Sequence, residues 1–142
     1  MSTEPILILH AAATWAMVGL IWFVQLVHYP LVAAVGTDGF VAYEAQHTKR
    51  TTWVVAVLMP VEVTTALLLT TIEAVPAALA WTGALLVAAI WIVTLAVQVP
   101  QHRALGTGFR DATWRSLVRG NWIRTAAWSA RGMIAAAMLA SL

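Results

Sequence analysis

Apolar residues fill four long stretches of this chain, and polar residues interrupt each stretch at helical spacing. The clearest stretch is His10 to His28, HAAATWAMVGLIWFVQLVH. The two histidines are 18 residues apart, which at about 100° per residue is five whole helical turns. On one helix, both imidazoles share a face roughly 27 Å apart, about the thickness of a bilayer core. Thr14, Met17, Ile21 and Gln25 fall on the same line. The pattern predicts an all-α single domain, a four-helix transmembrane bundle with spans at about residues 5–29, 47–72, 77–99 and 120–142. Thr3 is placed to cap the first span and Pro5 to occupy its first turn. Pro30 and Pro100 mark expected ends or kinks, and Pro60 an expected kink within span 2. Gly36–Thr37–Asp38–Gly39 reads as a turn, followed by a short interfacial helix, FVAYEAQH. Residues 101–119 read as a polar, basic loop with room for a short amphipathic helix.

Composition agrees with a membrane-spanning object. Of 142 residues, 61% are hydrophobic and only 10% are charged, against about 25% charged in a soluble domain. Mean hydropathy is +0.82. With no cysteine, disulfides, thiolate metal sites and cysteine nucleophiles are excluded. The start, MSTEPILILH, lacks a basic region and a small-residue cleavage site, so it reads as a retained first helix rather than a signal peptide. The basic residues argue for topology rather than nucleic-acid binding. Lys49, Arg50, Arg103, Arg110, Arg115, Arg119 and Arg124 lie in or beside the two longer loops, while the other side carries Glu4 and Glu73. The positive-inside rule then places the longer loops in the cytoplasm and both termini outside, in a bacterial cytoplasmic membrane. Trp53, Trp81, Trp114 and Trp122 suit interfacial belts, and Trp22, Trp91 and Trp128 are candidates for interior packing.

Polar groups recur on every span. Trp91, Thr94, Gln98 and His102 form one helical stripe; Asn121, Arg124, Trp128 and Arg131 form another; His47, Thr51 and Val54 line up on span 2. A polar group facing lipid is costly, so these lines are expected to face each other. Glu62 and Arg131 fall near mid-membrane, where each charge costs about 2.5–3.5 kcal/mol. A salt bridge between them, or protonation of Glu62, is the simplest remedy. It fixes helix register or, alternatively, walls a substrate or proton pocket. His28, His47 and His102 share the cytoplasmic half. Three neutral imidazoles suit iron, copper or zinc, with Glu62 or Glu44 as an oxygen ligand. They equally suit a haem pocket, or hydrogen bonds to loops with no cofactor. His10 stands apart on the outer half, as a carbonyl- or Thr14-bonded histidine or an alternative haem ligand.

The motifs VHYP (27–30), HTKRTTWVV (47–55), QVPQH (98–102) and NWIRTAAWSAR (121–131) resemble a group of small, uncharacterised four-helix bacterial membrane proteins. That resemblance implies a bundle with these polar residues as its shared centre. In span 1, Leu9–His10 followed by Trp15 and Gly19 resembles the first helix of the HemJ-type haem-binding membrane oxidases, which implies haem b on His10. The expectation is an integral membrane redox protein, oxidase- or oxygenase-like, acting on a small hydrophobic molecule. His28, His47 and His102 hold a metal or haem in this reading. Gln25, Gln98, Asn121 and Trp128 orient substrate, and Glu62, Arg124 and Arg131 serve catalysis. The alternatives are a small proton-linked carrier, a ligand-binding bundle, a cofactor-free structural subunit, or a homo-oligomer of any of these in the lipid bilayer. No nucleic-acid partner is expected.

Overall fold

The computed structural model describes residues 3–141. Four helices account for nearly all of them: α1 (Glu4–Val32), α2 (Thr37–Leu69), α3 (Ala77–Leu105) and α4 (Asp111–Ala140). Connectors of 33–36, 70–76 and 106–110 make each helix antiparallel to the one before it. Three apolar clusters stack along the bundle. One end holds Tyr29, Val32, Phe40, Leu105 and Leu117. The middle holds Met17, Ile21, Met59, Ile90 and Trp128. The far end holds Leu7, Leu69, Val75, Ala80 and Met138.

The helices run longer than the apolar pattern predicts. The expected turn at 36–39 shrinks to Gly36, whose φ of 81° suits a residue without Cβ. The expected interfacial helix is continuous with span 2, and α2 continues through Pro60, which faces outward. The expected basic loop at 101–119 reduces to 106–110, because α3 runs on to Leu105 and α4 begins at Asp111. Thr3 makes no side-chain capping bond. The predicted end of span 4, Leu142, lies outside the described residues.

Pro30 and Pro100 do not end their helices. Each follows a π-turn, Val24–His28 in α1 and Thr94–Gln98 in α3. Within these turns the Tyr29 N–H donates to the Val24 carbonyl and the Val99 N–H to the Thr94 carbonyl. A proline in an α-helix lacks a donor and clashes with the carbonyl four residues back. Widening the preceding turn relieves both problems. It also inserts one residue, which sets the helix phase back by about 100°.

Three helices, α1, α2 and α3, are long and apolar enough to cross a membrane. The fourth does not meet that description; α4 carries Asp111, Arg115, Arg119, Arg124 and Arg131. Burial inverts the soluble pattern. Glu62, Asn121, Arg131 and Gln98 are inside, while Trp53, Leu85, Ile92 and Met133 are each more than 60% exposed. An apolar exterior around a polar interior is the arrangement a bilayer selects. Of the three tryptophans expected inside, Trp128 is fully buried and Trp91 half-buried, but Trp22 faces outward and donates to Ser129 Oγ at 3.0 Å.

Candidate functional site

The polar stripe of α1 folds as its spacing predicts through Gln25. His10, Thr14, Met17, Ile21 and Gln25 are all buried. At the π-turn the phase slips. Tyr29, 2% exposed, takes the central position expected for His28. His28 rotates to the flank of α1, where its ring stacks on His47 of α2 at 4.3 Å between centroids. Tyr43 contacts His28 Nδ1 through its hydroxyl at 3.4 Å. The π-turn of α3 likewise buries Gln98 and sends His102 to the side facing α2.

These displacements bring four polar side chains into one chain of contacts. His102 Nδ1–H donates to Glu44 Oε1 at 2.6 Å. The Tyr29 hydroxyl lies 3.2 Å from His102 Nε2 and 3.4 Å from Gln98 Oε1. Glu44 is buried and accepts from the imidazole. A carboxylate on Nδ1 fixes the tautomer. Nε2 is therefore the acceptor that faces the Tyr29 O–H. When Nε2 carries a proton instead, Tyr29 turns its own proton to Gln98.

Beside this relay lies a cavity of about 390 Å³. Met17, Leu20, Ile21, Val55 and Met59 give it apolar walls. Glu44, His47, His102, Tyr29, Gln98 and Arg124 supply its polar groups. Apolar walls with a few convergent polar groups are the usual form of a small-molecule site, and the volume is within the usual range. A smaller cavity of about 210 Å³ adjoins His28, His47 and Arg50.

Arg124 is the buried cation of the larger cavity. Its guanidinium lies 5.0 Å from the Trp128 ring centroid. Nη1 donates to Asn121 Oδ1 at 3.1 Å, and Asn121 Nδ2 donates to Gln25 Oε1 at 2.9 Å. Deeper in the bundle, Arg131 Nη2 donates to Glu62 Oε1 at 3.3 Å, while Trp128 Nε1 donates to Glu62 Oε2 at 3.0 Å. Arg131 Nη1 also donates to the Gly83 carbonyl at 2.5 Å. Trp128 thus joins the two arginines in one polar spine, its ring beneath Arg124 and its indole N–H on Glu62.

The residues singled out from sequence therefore separate into two groups. Gln98, Arg124, His47 and His102 reach the cavity. Glu62, Arg131, Gln25, Asn121 and Trp128 do not form its wall; their side chains hydrogen-bond to one another behind it. Glu62 and Arg131 form the expected ion pair, and both side chains are fully buried. Glu44 as the partner of His102, and Tyr29 in the relay, were not assigned those places by spacing. The signal for Tyr29 was Pro30, which follows the π-turn that shifts the phase.

The three histidines are neighbours, with His47 and His102 centroids 5.3 Å apart. Their donor atoms nonetheless do not fit a three-histidine metal centre. Both nitrogens of His102 are engaged, by Glu44 and Tyr29. The rings of His28 and His47 stack with 26° between planes, so their in-plane lone pairs run side by side instead of converging. Among the described residues no group of three His, Asp or Glu side chains is arranged to hold a metal ion. His10 does not fit an axial haem ligand either. Its Nδ1 lies 2.8 Å from Thr65 Oγ1, its ring is 2% exposed, and neither cavity reaches it.

Set against known protein families, curated proteins and solved structures, the chain matches none.

Proposed function

We propose that this chain is an integral protein of the bacterial cytoplasmic membrane that takes a small hydrophobic molecule into the larger cavity and moves a proton at its polar head. In this reading all four helices cross the bilayer. Helix α4 is shielded from lipid on its polar face, and its outward residues include Ile123, Met133 and Leu139. The end bearing Lys49, Arg50, Arg103, Arg110, Arg115 and Arg119 faces the cytoplasm, so the cavity opens toward the cytoplasmic half.

One observation carries the reading: the Glu44–His102 pair, 2.6 Å apart, stands in the wall of an apolar cavity. A carboxylate-oriented imidazole is the commonest general base in proteins, and low dielectric strengthens its hydrogen bonds. Glu44 holds the tautomer. His102 Nε2 takes the proton, directly or through the Tyr29 hydroxyl. Gln98 accepts from Tyr29 and keeps it aligned. Arg124 stabilises the negative charge left on the ligand. The steps rest on these side chains and do not pass through a metal or haem. A carrier gated by Glu62 and Arg131 is not favoured, since that pair is sealed away from the cavity.

A 4-alkyl-2-nitrophenol bound to protein in lipid nanodiscs tests the proton transfer, because its phenolate absorbs visible light. Bound probe is expected to be ionised at a pH where the free probe is largely neutral. Glu44→Gln should bind it in the neutral form, and Val55→Trp, which fills the cavity, should bind little. Absence of binding to the natural chain, or equal ionisation in Glu44→Gln, overturns the proposal.

A further inference from the structure

We infer that the natural ligand is a hydrophobic carboxylate, an acid with an apolar tail, whose head group pairs with Arg124. The inference rests on the cavity being a ligand site, as proposed above, and adds the chemical class of the ligand.

The two interior arginines of α4 differ in one respect. Arg131 has Glu62 as counter-ion at 3.3 Å. Arg124 is about nine-tenths buried and, among the described residues, has no carboxylate within salt-bridge distance. Among the described residues its side-chain hydrogen-bond partner is the neutral Asn121; its buried Nε has no partner, as is also true of Arg131, so the missing counter-ion is what sets Arg124 apart. A guanidinium offers five donors and stays charged at any accessible pH. Leaving it inside an apolar bundle without an anion carries a large desolvation cost. The Trp128 ring beneath it offsets only part of that, since a cation–π contact contributes about 2 kcal/mol when desolvated.

The other charges of the cavity do not supply the anion. Glu44 is taken up by His102 at 2.6 Å. Arg103, exposed at the rim, adds a second positive charge along the way in. The polar end of the cavity therefore offers net positive charge, with a planar fork suited to bidentate recognition of a carboxylate. Met17, Leu20, Ile21, Val55 and Met59 on its wall suit a hydrocarbon tail, while Thr48, Thr51 and Thr52 line it without adding charge. Flexible methionines adapt to tails of different shape.

Binding of decanoate and of decan-1-ol to the natural chain in nanodiscs, followed by tryptophan fluorescence and calorimetry, tests the inference. Decanoate should bind about tenfold or more tighter than the alcohol, the ratio expected for hydrogen bonds to a charged group. Arg124→Gln should abolish that preference while leaving alcohol binding in place. Arg124→Lys, which keeps the charge but loses the fork, should retain a reduced preference. Equal or tighter binding of decan-1-ol by the natural chain overturns the carboxylate assignment and leaves the cavity reading standing. Failure of both probes to bind overturns the cavity reading itself. A preference unchanged in either Arg124 variant shows that another group reads the head.

Discussion

Removing the Glu62 carboxylate should destabilise the bundle far more than removing both members of its ion pair. Glu62 is wholly buried and accepts from Arg131 at 3.3 Å and from Trp128 at 3.0 Å. In Glu62→Leu the Arg131 guanidinium keeps only the Gly83 carbonyl. An orphaned buried charge of this kind costs about 3–5 kcal/mol. Arg131→Met should fall toward the lower end of that range, because a carboxyl can be neutralised by a proton and a guanidinium cannot. The double variant places apolar side chains of similar size against each other. Such replacements are often neutral or stabilising by about 1–4 kcal/mol. The two single losses should therefore not add, and the coupling between the sites should be several kcal/mol. Equilibrium unfolding in mixed micelles titrated with a denaturing detergent, followed by circular dichroism, measures all four corners of the cycle. A double variant that loses the sum of the single losses refutes the compensation. Single variants within about 0.5 kcal/mol of the natural chain refute the burial of the pair.

Three further substitutions probe the same interior. Trp128→Phe keeps an aromatic ring beneath Arg124 but deletes the indole N–H that reaches Glu62 at 3.0 Å; a donor to a charged acceptor is worth about 1.5–3 kcal/mol, so the unfolding midpoint should fall accordingly. Gly132→Leu should weaken the α1–α4 contact by about 1–3 kcal/mol, because even a Cβ there comes within 3.2 Å of Val18 and 3.3 Å of Trp15. Gly132→Ala should be milder, since the gain in helix propensity of about 1 kcal/mol offsets part of the crowding. A Leu variant as stable as the natural chain would show that the two helices have room to part.

Much of the fold is legible in the apolar pattern. The four helices, their antiparallel order and the interior positions of Thr14, Gln25, Asn121 and Arg131 follow from spacing alone. An apolar chain that must satisfy every backbone group within itself has little choice but helices, and its polar side chains have nowhere cheap to go except inward. Helix ends were harder. Residues 37–39 read as a turn and 101–105 as part of a loop, yet both continue helices because Phe40 and Leu105 pack into the end cluster with Tyr29. The pairing of Glu62 with Arg131 was also readable, since two costly charges at one depth have few alternatives.

The site was only half legible. His28, His47 and His102 do gather at one end, as their positions beside the longer loops suggest. What spacing could not supply is the direction of each ring. A π-turn of one inserted residue moves every later side chain of its helix by about 100°, and two such turns lie in this bundle at the same end. Counting from His10 at a constant 100° puts His28 on the central line; the turn before Pro30 puts Tyr29 there instead. The three imidazoles consequently present a stack and a carboxylate-bound relay, in place of three converging donors.

The stretch from His10 to His28 determined by itself that it would be a helix, apolar outside and polar along one line, because helical period and the penalty on exposed polar groups act locally. Which residue of its last turn reaches the interior, which partner Glu44 finds, and which arginine is left without a counter-ion were decided by the tertiary structure. Those outcomes depend on the phase of one helix relative to another, and phase is set where the chain relieves a proline, not where the hydrophobic pattern repeats.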